Sequence, residues 1–143
     1  MQKISAHRGE YIRFIPVDMK IVIIEDEVEL GQLIQNFLTK KILDNPNTVK
    51  TATNLHDGLL YIDELQPDWI FLDNNLPDGK GINVIEQIKK SHSSRVIMMS
   101  AMSNLKEEAF RRGVDYFMDK PISFVEIRRI LGGEDAASKS ADE

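Results

Sequence analysis

The stretch Trp69-Ile70-Phe71-Leu72-Asp73-Asn74-Asn75-Leu76-Pro77-Asp78-Gly79-Lys80-Gly81 changes character at a single residue. Residues 69–72 are an unbroken apolar run of strand length, and Asp73 closes it with a carboxylate. Behind that acid, two Gly and one Pro in residues 74–81 demand a loop. Ile82, Ile85 and Ile88 then mark one apolar helical face. A strand without polar alternation is covered on both faces, as in parallel sheets packed between helices. The unit is strand, acid, loop, helix.

The same unit recurs on either side. Lys20-Ile21-Val22-Ile23-Ile24 is a β-branched run ended by Glu25-Asp26-Glu27, and Leu30, Leu33, Ile34, Phe37, Leu38 and Ile42 follow it at helical spacing. Asp44-Asn45-Pro46-Asn47 is turn chemistry. Residues 48–52 read as a strand, and Leu55, Leu59, Ile62 and Leu65 as a helix stopped by Pro67. Residues 95–99 form a fourth strand ending at Ser100, followed by a short helical stretch over 104–112 that closes at Gly113. Residues 114–118 are a fifth strand, followed by Asp119-Lys120-Pro121. Ser123-Phe124-Val125-Glu126 has the form of a capping box opening a last helix, with Phe124, Ile127, Ile130 and Leu131 inward. Strict alternation of five strands and helices predicts an α/β fold with a doubly wound parallel sheet.

Composition agrees and narrows the function. With 143 residues, 42% of them hydrophobic and 29% charged, the chain has enough material for one domain with a real core. The apolar runs are too short to span a membrane. The absence of Cys excludes a disulfide framework, a thiolate metal site and a Cys nucleophile, and points to the cytoplasm. A net charge of −5 argues against a nucleic-acid surface. His7, His56 and His92 have no ligand spacing and read as surface residues. Residues 1–18 read as an N-terminal extension in which Tyr11-Ile12-Arg13-Phe14-Ile15 could pair as an added strand or stay unstructured. Residues 132–143 read as a flexible acidic tail with no room for an output domain.

In a doubly wound sheet the site lies outside the carboxyl ends of the strands, where strand order reverses. The residues there are Glu25 and Asp26, then Asp73, Ser100 and Lys120. Each alone has an ordinary explanation: a carboxylate after a strand is often a helix cap, as Asp26 could be for the first helix, and Lys120-Pro121 could be a turn. Together they are more. Three carboxylates at one rim repel unless a cation sits among them, and their hard oxygens suit Mg²⁺. The lysine is a point charge suited to a phosphoryl oxygen.

Ile23-Ile24-Glu25-Asp26-Glu27, the 71–81 segment, Met99-Ser100-Ala101 and Asp119-Lys120-Pro121 resemble, in order and spacing, the signature of response-regulator receiver domains of two-component signalling. The resemblance spans residues 19–131, and the Asp-x-x-Leu-Pro-x-x-x-Gly element is its most specific piece. It implies a flavodoxin-like (βα)5 sandwich with strand order 2-1-3-4-5. It makes Asp73 the phosphoacceptor for a phosphohistidine on a sensor histidine kinase or phosphotransfer protein. Mg²⁺ would be held by Glu25, Asp26, Asp73 and the backbone carbonyl of Asn75. Ser100 would hydrogen-bond a phosphoryl oxygen, Lys120 would pair with another, and Phe117 would be the aromatic switch.

With no output domain expected after Leu131, the resemblance is to a stand-alone module, monomeric or weakly dimeric, that catalyses only its own phosphorylation and dephosphorylation. A separate downstream protein would read it, with no nucleic acid or membrane involved. Two departures stand out. The acidic pair is Glu-Asp rather than Asp-Asp, and the 20-residue step from Ser100 to Lys120 is short for the family, which predicts a short fourth helix. Asn75 and Met102, each two residues past a site residue, should tune phosphoryl lifetime. The competing readings are a phosphorylation-independent adaptor and an aspartyl-nucleophile phosphatase; the latter usually carries a second acid where this chain has Asn75.

Overall fold

The computed structural model describes residues 2–6, 12–16, 19–42 and 48–133. The turn expected at residues 44–47, His7 and residues 134–143 lie outside them. Strands β1 (Gln2–Ala6) and β2 (Ile12–Pro16) pair antiparallel, with Gln2 opposite Pro16, as a sheet of their own. The stretch considered as an added strand thus pairs with residues 2–6 and not with the main sheet.

Seven strands follow: β3 (Lys20–Ile24), β4 (Thr48–Ala52), β5 (Trp69–Asp73), the two-residue β6 (Asn75–Leu76) and β7 (Gly79–Lys80), β8 (Arg95–Ser100) and β9 (Tyr116–Asp119). Five of them form one parallel sheet in the order β4-β3-β5-β8-β9. Counted among these five, that order is 2-1-3-4-5. The helices are α1 (Val28–Phe37), α2 (Leu55–Leu65), α3 (Ile85–Ser91), α4 (Lys106–Arg112) and α5 (Phe124–Leu131).

The period-2 geometry of the strands sorts their side chains between two cores. Val22, Ile24, Ile70, Leu72, Val96 and Met98 face α2, α3 and α4, where they meet Ile62, Ile85, Ile88 and Ala109. Ile21, Ile23, Trp69, Phe71, Ile97 and Met99 face α1 and α5, meeting Ile34, Ile127 and Ile130. Burying an aliphatic or aromatic side chain of this size contributes about 1.5–3 kcal/mol. The unbroken apolar runs therefore hold the sandwich from both sides.

Several helix ends follow sequence chemistry. Asn54 caps α2 by accepting the Asp57 N–H at 2.8 Å, and Ser123 caps α5 by accepting the Glu126 N–H at 3.1 Å. Gly113, at φ 115°, closes α4, its N–H reaching the Ala109 and Phe110 carbonyls. The fifth principal strand begins two residues later than its apolar run. Val114 still bonds back to Ala109, and Asp115 spends its carboxylate on the Val96 N–H at 2.7 Å and on Lys89. As the spacing predicts, α4 is short: seven residues after a 3-10 turn at Ser103–Leu105.

His56 is exposed, as expected, but His92 is not a surface residue. Its side chain is only 7% exposed, with Nε2 3.0 Å from Asp63 and Nδ1 3.3 Å from Gln66. It ends α3 and faces the end of α2, so helix packing encloses it. No helix among the described residues is long and apolar enough to cross a membrane.

Candidate functional site

Strand order reverses between β3 and β5, so their carboxyl ends open a crevice. The chain past these strands stays on the sheet's ladder. The Glu25 N–H donates to Ala52 O at 2.9 Å, the Asn74 N–H to Met99 O at 3.1 Å, and the Lys120 N–H to Ser100 O at 2.9 Å. The rim side chains therefore spring from fixed backbone. One carboxylate oxygen from each of Glu25, Asp26 and Asp73 lies within 4.8 Å of the others. Glu25 and Asp73 are buried and Asp26 is exposed.

Lys120 enters this cluster from the end of β9. Its Nζ is 3.0 Å from Glu25 Oε1, 3.3 Å from Asp73 Oδ1 and 3.8 Å from the more exposed Glu27. Glu25 Oε2 accepts the Glu27 N–H at 3.0 Å, whereas buried Oε1 has no well-directed hydrogen bond. Glu27 is also the N-cap residue just before α1, and its side chain makes no capping hydrogen bond. Asp26 therefore does not cap the first helix; its carboxylate belongs to the acidic cluster.

Burial pushes the Glu25 carboxyl above its ordinary value, and the nearby Asp73 charge adds to this, against the Glu27 N–H and Lys120, which lower it. Burial alone would lower Lys120, but its contact with Glu25 and the charge of Asp73 outweigh that, and the ammonium is held above its ordinary value. Three carboxylates facing one ammonium leave excess negative charge. That excess, a buried oxygen lacking a directed partner and an all-oxygen donor set fit a hard divalent cation.

The loop behind Asp73 is tightly built. Buried Asn74 accepts twice, the Gly81 N–H on its carbonyl at 2.8 Å and the Ile82 N–H on its side chain at 2.9 Å. A Cβ on Gly81 would lie 2.4 Å from the Asp73 carbonyl oxygen, so only glycine lets the loop return so closely. Strands β6 and β7 pair antiparallel, Asn75 opposite Lys80, and Lys80 Nζ donates to Asn75 Oδ1 at 2.7 Å. At the tip, the Asp78 carboxylate accepts the Leu55 N–H at 2.8 Å and the His56 N–H at 2.9 Å.

Ser100 is buried at the end of β8, and its Oγ accepts the Met102 N–H at 3.0 Å. Phe117, opposite Met98 in the ladder, is half-buried against the α2, α3 and α4 core. It also lines a surface groove of about 790 Å³ with Lys106, Phe110, Tyr116 and Glu126. Met102 is 52% exposed at the rim.

The carboxylates and the lysine expected at the rim thus meet in one cluster, with Ser100 at the end of the neighbouring strand. Sequence reading missed Asn74, the double acceptor Asp78 and the reach of Lys120 to Glu25. The run Leu76-Pro77-Asp78-Gly79 was a usable turn signal, with Pro77 and Asp78 the two turn residues between paired Leu76 and Gly79. Asn74 carried no signal beyond being an amide in a loop.

The model of the response regulator receiver domain family matches residues 21–132. The KDP operon transcriptional regulatory protein KdpE of Escherichia coli (strain K12) is 34% identical over 113 residues, 78% of this chain and 48% of that protein. The transcriptional regulatory protein DpiA of the same organism is 29% identical over 116 residues, 79% of this chain and 50% of the relative. The chain thus spans about half the length of these curated relatives. Among solved structures, the receiver domain of NtrX from Brucella abortus superposes with a TM-score of 0.66 at 30% identity, covering 81% of this chain and 96% of that one.

Proposed function

Because the chain belongs to the response regulator receiver domain family, we propose that it accepts a phosphoryl group on Asp73 from a phosphohistidine, in the cytoplasm, and passes the change to a downstream protein. The observation that carries this reading is the convergence of buried Asp73 with two further carboxylates and with the Lys120 ammonium 3.3 Å away.

An aspartate needs no base to become a nucleophile at neutral pH. One Asp73 carboxylate oxygen attacks the phosphorus; a P–O bond forms as the P–N bond breaks, and the imidazole nitrogen leaves with the electron pair. Transfer of this kind depends on positioning and charge neutralisation. Glu25, Asp26, Asp73 and the backbone carbonyl of Asn75 would hold Mg²⁺. When bound, it supplies positive charge to the phosphoryl oxygens. Lys120 pairs with one phosphoryl oxygen. Ser100 already accepts from Met102, which leaves its own O–H to donate to another. Movement of Ser100 toward the phosphoryl group vacates space for the half-buried Phe117 ring, which alters the groove it lines.

The donor is a sensor histidine kinase or a phosphotransfer protein. An apolar groove of about 810 Å³ opens beside Lys120, lined by Val28, Leu30, Leu33, Ile122 and Phe124, and offers it a seat. The test is incubation with Mg²⁺ and acetyl phosphate, read by intact mass and by phosphate release. One phosphoryl group per chain, stable in acid and labile in base, is expected. Catalytic phosphate release would make the protein a phosphatase, and an unlabelled folded chain would make it an adaptor.

A further inference from the structure

Asp78 is an exposed aspartate at the tip of a hairpin, yet both of its carboxylate oxygens are committed. Oδ1 accepts the Leu55 N–H and Oδ2 the His56 N–H, residues more than twenty positions earlier in the chain. These are N–H groups of the first turn of α2, which no helical carbonyl can satisfy. That turn does not need Asp78 to be capped, because Asn54 already takes the Asp57 N–H. The second set of bonds has a different effect. It ties the tip of the 75–80 hairpin to α2.

The hairpin's other end is tied to the rim. Gly81 lies against the Asp73 carbonyl, Asn74 holds the N–H groups of Gly81 and Ile82, and Lys80 holds the Asn75 side chain. The two-residue turn makes the hairpin short and stiff, with Leu76 directly opposite Gly79. The residues just before α2 are fixed as well, since the Ala52 carbonyl accepts the Glu25 N–H. A closed circuit results: from Glu25 through Ala52 to the start of α2, through Asp78 to the hairpin, and back through Asn75 to Asp73.

We propose that Asp78 is a positioning residue for the cation site, locking the hairpin that carries the Asn75 backbone carbonyl, a ligand under the phosphoacceptor reading, so that this carbonyl is held in place behind Asp73. This deepens the phosphoacceptor reading and rests on it. The two N–H groups hold the Asp78 carboxyl below its ordinary value, so the clamp stays charged and closed throughout the neutral range. A carboxylate is suited to the task because it accepts on both oxygens. An asparagine keeps one acceptor and presents an NH₂ group to the second N–H.

The test measures Mg²⁺ affinity by isothermal titration calorimetry on parent, Asp78→Ala, Asp78→Asn and Asn54→Ala. The last removes the other cap of α2 and leaves the hairpin clamp intact. Orienting partners of metal ligands are typically worth 10–100-fold in affinity; because Asp78 orients a single carbonyl, a loss of about three- to tenfold is expected for Asp78→Ala. Asp78→Asn should fall between Asp78→Ala and the parent. Asn54→Ala should lower the melting temperature with Mg²⁺ affinity unchanged. Equal affinity in parent and Asp78→Ala, or an equal loss in Asn54→Ala, would overturn the positioning role. A parent that binds Mg²⁺ and takes label from acetyl phosphate keeps the underlying reading in either case. A parent that does neither removes both.

Discussion

The ammonium of Lys120 stands 3.0 Å from the one Glu25 carboxylate oxygen that is buried and has no well-directed hydrogen bond. The pair is close but incompletely satisfied. Without a cation, Lys120 is shared among Glu25, Asp73 and Glu27, and burial still lifts the Glu25 carboxyl above its ordinary value of 4.5. The site therefore sacrifices some stability for its charge arrangement, and the consequences can be measured.

Glu25→Gln should stabilise the protein at neutral pH in the absence of divalent ions. A carboxyl raised on folding contributes stability that is fully present below its unfolded value and is lost as pH rises through the raised, folded one. Melting temperatures of the parent should thus fall from mildly acidic to neutral pH, and Glu25→Gln should flatten that slope. Parallel profiles for the two proteins would disprove the assignment.

Mg²⁺ binding should compete with the proton on Glu25. Affinity is expected to weaken as pH falls through the raised Glu25 titration, by about tenfold per pH unit at most for one displaced proton. Calorimetry in buffers of different ionisation enthalpy counts that proton directly. No proton release on the acid side would mean that Glu25 is not a ligand.

Asp73→Asn should abolish labelling by acetyl phosphate and leave the circular dichroism spectrum unchanged, because the amide has nearly the shape of the carboxylate. Intact mass decides it. Label persisting at the parent's level would move the acceptor to another residue.

Gly81→Ala should damage stability and chemistry together. The new methyl would lie 2.4 Å from the Asp73 carbonyl oxygen and 3.0 Å from Leu72, so backbone must shift. Overpacking of this kind costs about 1–3 kcal/mol. Denaturant unfolding and the labelling rate should both fall; a stable variant that labels at the parent's rate would contradict the contact.

Phe117→Ala should cost about 1–2 kcal/mol, less than the 3–5 kcal/mol of a fully buried phenylalanine. Labelling of Asp73 should survive. What should shrink is the difference in hydrogen exchange over residues 101–106 between the free protein and the protein carrying a beryllofluoride mimic. An undiminished difference would route the switch through another residue.

The fold was legible because β3, β5 and β8 carry long apolar runs that each end at a polar residue, and the edge strand β4, Thr48-Val49-Lys50-Thr51-Ala52, fell into place by alternation. Residues 69–73 illustrate this: four apolar side chains split between two cores, then Asp73 at the crevice. The rim was legible because strand ends in a parallel sheet share one side. What stayed hidden depends on distance rather than type. His92 was read as a surface residue because the return of α3 beside the end of α2 leaves no mark in the sequence. Likewise, nothing near Asp78 in the chain announces Leu55 and His56 as its partners. The late start of β9 came from one side chain, Asp115, taking the N–H of Val96.

Glu25, Asn74 and Lys120 hang from the outermost rungs of the sheet's own ladder, through bonds to Ala52, Met99 and Ser100. Their amides can trade hydrogen for solvent deuterium only when neighbouring strands part. Such openings approach the free energy of global unfolding in the centre of a sheet. Asn74, bonded between the interior strands β5 and β8, should therefore exchange slowest of the three, and Glu25 and Lys120, whose rungs join the edge strands β4 and β9, sooner. Deuterium uptake at these three amides would thus rank how firmly the sheet holds each group of the rim.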